Sequence, residues 1–219
     1  FALIILANVL GAKYDRILQP MGSIVLTDEQ AGLVTRKYME MFTLFHELSH
    51  SLGPGTITLD GRQTSVSEEL REEYAALEES KADVMGVWNI LFMMEKGEIP
   101  VAEKNQLWAT YFTGLFRSMR FGIDEAHGKG AAAQYGYLKG KGAFAFNEEA
   151  GHFVIDEARM ESALRELLIE ELMLQATGDY EGTKAFFAKW AVLDDHAKDA
   201  IAEMGSIPVD IRPIYPESV

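Results

Sequence analysis

The sequence predicts a mainly α, multi-helix domain that carries a small β-hairpin. Two long stretches of helical periodicity each open on capping-box spacing, at Thr27-Asp28-Glu29-Gln30 and Ser65-Val66-Ser67-Glu68. Each closes on residues that stop a helix, Gly53-Pro54-Gly55 for the first and Gly97 with Pro100 for the second. Alternating strand patterns are short and occur in only two places.

In chain order, residues 1–10 are apolar but lack a basic leader and are far too short to span a bilayer, so they are expected as a buried element. A helix over 28–52 follows. Residues 56–64 read as a loop with a short strand at 56–59. The second long helix covers 65–96, and further helices are expected over 102–120, 124–139, 157–177, 180–190 and 194–204. Between them, 142–146 and 152–155 flank a polar turn and are expected to pair as the hairpin. The tail from Ile207 holds three prolines and is expected to be extended. We expect residues 1–219 to form a single helical domain, and the missing initiator Met suggests a fragment of a longer protein.

Composition narrows the function. With 34 acidic and 20 basic residues the net charge is −14, which repels phosphate backbones, so no nucleic-acid partner is expected. No apolar run reaches the length of a membrane span, so no membrane partner is expected. There is no cysteine, so any metal must be held by His, Asp or Glu. The same absence suits a reducing compartment, and a cytoplasmic location is the expectation.

The segment His46-Glu47-Leu48-Ser49-His50 places HExxH inside the first long helix. Residues four apart lie one turn apart on the same face, so both imidazoles can reach one ion. Glu47, next to the first ligand, can hold a metal-bound water and take its proton. Two His and one Glu at this spacing also arise by chance, so the motif alone does not make a site. The second helix supplies Glu78-Glu79-Ser80-Lys81-Ala82-Asp83. Zinc needs a third protein ligand, commonly a carboxylate, and Glu79 is well spaced for it. Asp83 is one turn further along the same face and can fix the tautomer of a ligand imidazole.

These two motifs resemble the zinc signature of the dipeptidyl peptidase III (M49) family, which pairs a HExxGH or HExxH helix with an EExxA(D/E) helix. The likeness runs from about Asn8 to the carboxyl end. It implies a gluzincin-like metallopeptidase lobe with Zn2+ on His46, His50 and Glu79, Glu47 as general base and a peptide substrate. It also implies that the chain is one lobe of a two-lobed protein. His127, in Glu125-Ala126-His127-Gly128, matches a family histidine that stabilises the transition state, while its residue context alone equally suits an ordinary surface or capping histidine. The family's arginine four residues later is Ala131 here. The best-known members carry the longer HExxGH form, so the shorter motif leaves substrate and subfamily open. Proteins of this kind sometimes carry MutT/Nudix-type names, yet no Nudix signature is present. A noncatalytic or regulatory metal-binding module attached to a Nudix-type hydrolase is therefore the alternative, and hydrolysis of a non-peptide amide would use the same chemistry.

The remaining candidates read more plainly. His152 and His196 lack ligand spacing and are expected at the surface. Arg117 and Arg120 suit either a substrate carboxylate or ordinary ion pairs. Trp108, Tyr111, Phe112, Leu115 and Phe116 have helical spacing and read as packing. Gly128-Lys129-Gly130 and Gly140-Lys141-Gly142 lack the spacing of a phosphate loop.

Overall fold

The computed structural model describes residues 4–214 and is mainly helical, with two small antiparallel hairpins. Helix α1 (Ala7–Lys13) runs through a π-helical turn (Tyr14–Leu18) into α2 (Gln19–Val25). A single turn, α3 (Asp28–Ala31), precedes α4 (Arg36–Ser49). Strands β1 (Thr56–Leu59) and β2 (Arg62–Ser65) pair next, followed by α5 (Val66–Leu70), a 3-10 turn (Arg71–Glu73) and α6 (Tyr74–Glu95). A second 3-10 turn (Val101–Glu103) leads into α7 (Lys104–Met119), and α8 (Ala126–Gly140) follows. The second hairpin, β3 (Phe144–Asn147) and β4 (His152–Ile155), precedes α9 (Glu157–Thr177), α10 (Tyr180–Trp190) and α11 (Asp195–Glu203).

Four expectations change. The stretch 56–64, expected as a loop with one short strand, folds into the β1–β2 hairpin. The helix expected over 28–52 is broken at residues 32–35, because Thr35 turns extended and its side chain caps the backbone N–H of Tyr38. The Ser65 capping box forms as expected, but the helix it starts is interrupted after Leu70, where Arg71 takes φ 52°. The apolar opening is not uniformly buried: Ile4 and Leu6 are exposed, while residues 1–3 lie outside the described residues. Of the tail, residues 207–214 have no regular structure, and 215–219 lie outside the described residues. Among the described residues no helix is long and apolar enough to cross a membrane.

Helix α6 is the axis of the fold. Residues on nearly all its sides are buried, and α4, α8 and α9 pack around it. Helices α4 and α6 run antiparallel, with Lys81 reaching Ser49 while Gly86 meets His46. A Cβ at Gly86 would lie 3.0 Å from the His46 backbone nitrogen, so a larger residue would push the two helices apart by a few tenths of an ångström. The same holds at Gly130 of α8, where a Cβ would lie 3.0 Å from the Ala76 carbonyl. Behind this layer, Phe112, Phe116, Tyr135, Phe144 and Phe153 form an aromatic core with tilted and edge-on contacts. Phe112 and Phe116 are fully buried, and each contributes about 1.5–3 kcal/mol of transfer free energy. Trp108, Tyr111 and Leu115 are buried in the same core.

Candidate metal centre

The last turn of α4 carries His46 and ends at His50, its C-terminal cap residue. Across from it, α6 brings Glu79. The distances are 3.1 Å between the two Nε2 atoms, 3.3 Å from His46 Nε2 to Glu79 Oε2, and 3.6 Å from His50 Nε2 to Glu79 Oε2. Bonds of about 2.0–2.1 Å to a tetrahedral ion put neighbouring ligand atoms about 3.3–3.4 Å apart, so the three observed edges bracket that value. Glu79 Oε2 is buried and makes no well-formed hydrogen bond, although imidazole nitrogens surround it. A carboxylate oxygen so placed is costly without a cation, and the His-His-Glu group suits a divalent metal.

Each imidazole is held from behind. His46 Nδ1 lies 2.7 Å from Asp83 Oδ1, so a hydrogen on Nδ1 leaves Nε2 free for the centre. Asp83 Oδ2 accepts from Gln134 Nε2 at 3.0 Å, and Gln134 Oε1 accepts from the Tyr111 hydroxyl at 2.7 Å. His50 Nδ1 lies 2.9 Å from Glu78 Oε1. Lys81, 1% exposed, uses all three ammonium hydrogens: on Glu78 Oε1 at 2.7 Å, and on the carbonyls of Ser49 and Leu52 at 2.9 and 3.0 Å. Its charge thereby caps the carboxyl end of the HExxH helix, where the helix dipole favours a cation.

Charge within the centre follows from this packing. Burial pushes the His46 imidazole down, but its contacts with Asp83 and Glu79 outweigh that and carry its pKa to about 10 in the metal-free chain. Burial pushes Glu79 up, and the approach of His46 with the charges of His127 and His50 outweighs it, so its carboxyl lies below the ordinary range.

Glu47 stands one residue beyond His46 but points outward. It is exposed, and it borders a cavity of about 360 Å³ whose walls include Leu6, Val9, Leu10, Lys13 and Thr43. His127, in the first turn of α8, places Nδ1 3.2 Å from Glu79 Oε2 and leaves half of its side chain in solvent. His46, His50, Glu79, Asp83 and His127 are thus brought together.

Chains of known structure share this architecture. The dipeptidyl peptidase III of Caldithrix abyssi is 43% identical with a TM-score of 0.93, covering 96% of this chain and 40% of that one. The dipeptidyl-peptidase III of Corallococcus sp. strain EGB is 33% identical with a TM-score of 0.92, covering 96% and 39% respectively. The chain is similar to dipeptidyl peptidase III in sequence and fold. A protein called Nudix hydrolase 3 from Arabidopsis thaliana is 40% identical over 218 residues, or 98% of this chain and 28% of the plant protein. The chain therefore spans well under half the length of each of these relatives. No protein-family model matches it.

Other candidates lie apart from the centre. His196 stacks on Phe146 at 3.9 Å and pairs with Glu148, and His152 Nδ1 lies 2.6 Å from the Ala150 carbonyl. Arg120 is occupied by the carbonyls of Met204, Ile207 and Pro208, so it anchors the tail rather than a substrate carboxylate. Arg117 lies one helical turn before Phe121 and stacks over that ring. Sequence reasoning missed Glu78, Lys81, Gln134 and Tyr111. The three-residue spacing of Glu78 and Lys81 was the one available signal, since an isolated Gln or Tyr in a helix has no pattern to mark it.

Proposed function

We propose that this chain is the metal-binding helical lobe of a two-lobed zinc peptidase of the dipeptidyl peptidase III kind, hydrolysing short peptides. The observation that carries this reading is the His46–His50–Glu79 triangle, with edges of tetrahedral length and Glu47 exposed beside it. The donor set suits zinc, which is held in catalytic sites by three protein ligands with one position left open. When bound there, zinc would supply a Lewis acid that polarises the scissile carbonyl and makes water easier to deprotonate.

The chain's own residues do the rest. Glu47 accepts a proton from the attacking water and returns it to the departing amine. His127 donates a hydrogen bond towards the oxyanion that develops on the former carbonyl oxygen. Asp83 and Glu78 keep the Nε2 lone pairs of His46 and His50 turned inward. Glu47→Gln removes the base while keeping the shape. Its zinc content is expected to match the parent chain and its peptide hydrolysis to fall at least about 10²-fold. Full turnover by this variant would refute Glu47 as the base.

The plant relative's name favours a second reading, a regulatory metal-binding module attached to a Nudix-type hydrolase. An exposed carboxylate next to a ligand histidine argues for the enzyme, because a structural zinc has no use for it. Peptide hydrolysis by the full-length protein that survives inactivation of any Nudix-type site separates the two readings.

A further inference from the structure

Helix α9 turns two polar residues inward at a spacing of four, Glu171 and Gln175, and both are 0% exposed. Neither touches His46, His50 or Glu79 directly. They grip the residues on either side of Glu79 instead. Gln175 Nε2 donates to Glu78 Oε2 at 2.7 Å, and the Ser80 hydroxyl bonds Glu171 Oε1. Glu78 in turn offers its other oxygen to His50 Nδ1 and to Lys81 Nζ.

Both grips are unfavourable as packing. Glu78 only accepts, so the Gln175 amide must face it with its nitrogen. That leaves Gln175 Oε1 buried without a partner, and Glu171 Oε2 is in the same condition. Each orphaned oxygen carries a desolvation cost that apolar residues at these positions would avoid. Burial also pushes the Glu171 carboxyl well above the ordinary range. Without these two groups Glu78 Oε2 and the Ser80 hydroxyl would lose their partners, so the cost is tied to the turn of α6 that carries Glu79.

We propose that α9 is the positioning element of the centre, with Gln175 acting through Glu78 to set the ring and tautomer of His50. Glu171 is the second grip: through Ser80 it fixes the turn of α6 that presents Glu79. Gln175 is a positioning residue, since it touches neither the ligand atoms nor Glu47. The assignment rests on the reading of His50 as a ligand.

The test uses Gln175→Met, which keeps the volume and removes the donor, and Gln175→Asn, which stays polar but falls a methylene short. Two readouts are taken on folded protein below each variant's own unfolding midpoint. The first is the His50 tautomer in the metal-free 15N-labelled chain, from imidazole nitrogen shifts. The second is zinc affinity by competition with a chromogenic chelator. Both variants are expected to lose the preference for a hydrogen on Nδ1 of His50. Zinc affinity is expected to weaken on the order of tenfold, the lower end of what partners outside the ligand set cost. His50 signals and zinc affinity within twofold of the parent chain in both variants would overturn the proposal. If the parent chain takes up no zinc but the variants still change the His50 tautomer, the metal reading falls and the positioning role stands.

Discussion

The two sides of the metal centre are built to opposite rules. Towards the protein interior each imidazole is tied to a chain of partners: His46 leans on Asp83, Gln134 and Tyr111, and His50 leans on Glu78 and Lys81. Towards solvent the groups assigned to the reaction are loosely held, with Glu47 exposed and His127 half exposed. Ligands must be fixed before the ion arrives, because any freedom they keep is entropy lost on binding. Groups that meet a substrate must stay reachable. Rigidity and access are therefore divided between the interior and the solvent side of the centre.

The largest expected effect lies on the committed side. Lys81→Met leaves Glu78 and two helix-end carbonyls facing a buried methyl group, and breaking a buried pair in this way costs about 3–5 kcal/mol. Lys198→Met is the control, since Lys198 and Asp195 form an ion pair in solvent worth about 0–1 kcal/mol. Equal losses in urea unfolding for the two variants would erase the contrast between the faces.

Asp83→Ala comes next. It frees the His46 ring and leaves Gln134 without its acceptor, and zinc affinity is expected to fall 10–100-fold in chelator competition. An unchanged affinity would mean that the ligand geometry does not depend on the buried relay.

A third contrast is in the pH dependence of the metal-free chain. The folded His46 pKa of about 10 lies above its ordinary value of 6.5. Its contribution to stability is therefore complete below pH 6.5 and is lost as pH rises through about 10. With chelator present, the unfolding midpoint of the parent chain should fall over that interval more than that of His46→Gln. Parallel curves would show that Asp83 and Glu79 do not hold a proton on this ring.

Much of the fold was legible because the helices announce their ends. Helices α9 and α10 lie where the pattern put them: Asp156 and Asp179 cap them, and Gly178 between them takes the left-handed φ of 58°. The break before α4 was hidden, because Gly32-Leu33-Val34-Thr35 continues the apolar pattern and only the tertiary fold shows Thr35 to be a cap. The helical run from α1 to α2 was missed altogether; it has no side-chain caps, and the π-helical turn at Tyr14–Leu18 spoils its periodicity.

In the centre, helical spacing paired His46 with His50 and Glu79 with Asp83, while His127 was singled out by the family resemblance and not by any spacing. Their supports were illegible for a physical reason. Gln134 and Gln175 come from helices remote in sequence, and nothing local distinguishes a buried amide from a solvated one.

The measurement closest to the central claim is the metal content of the purified chain by elemental analysis, with His46→Ala prepared alongside. Three candidate ligand atoms at tetrahedral separations, one of them an unpartnered carboxylate oxygen, predict about one zinc per chain, lost in His46→Ala. A chain that holds no zinc even after incubation with it, or a His46→Ala variant that keeps its zinc, would contradict the account.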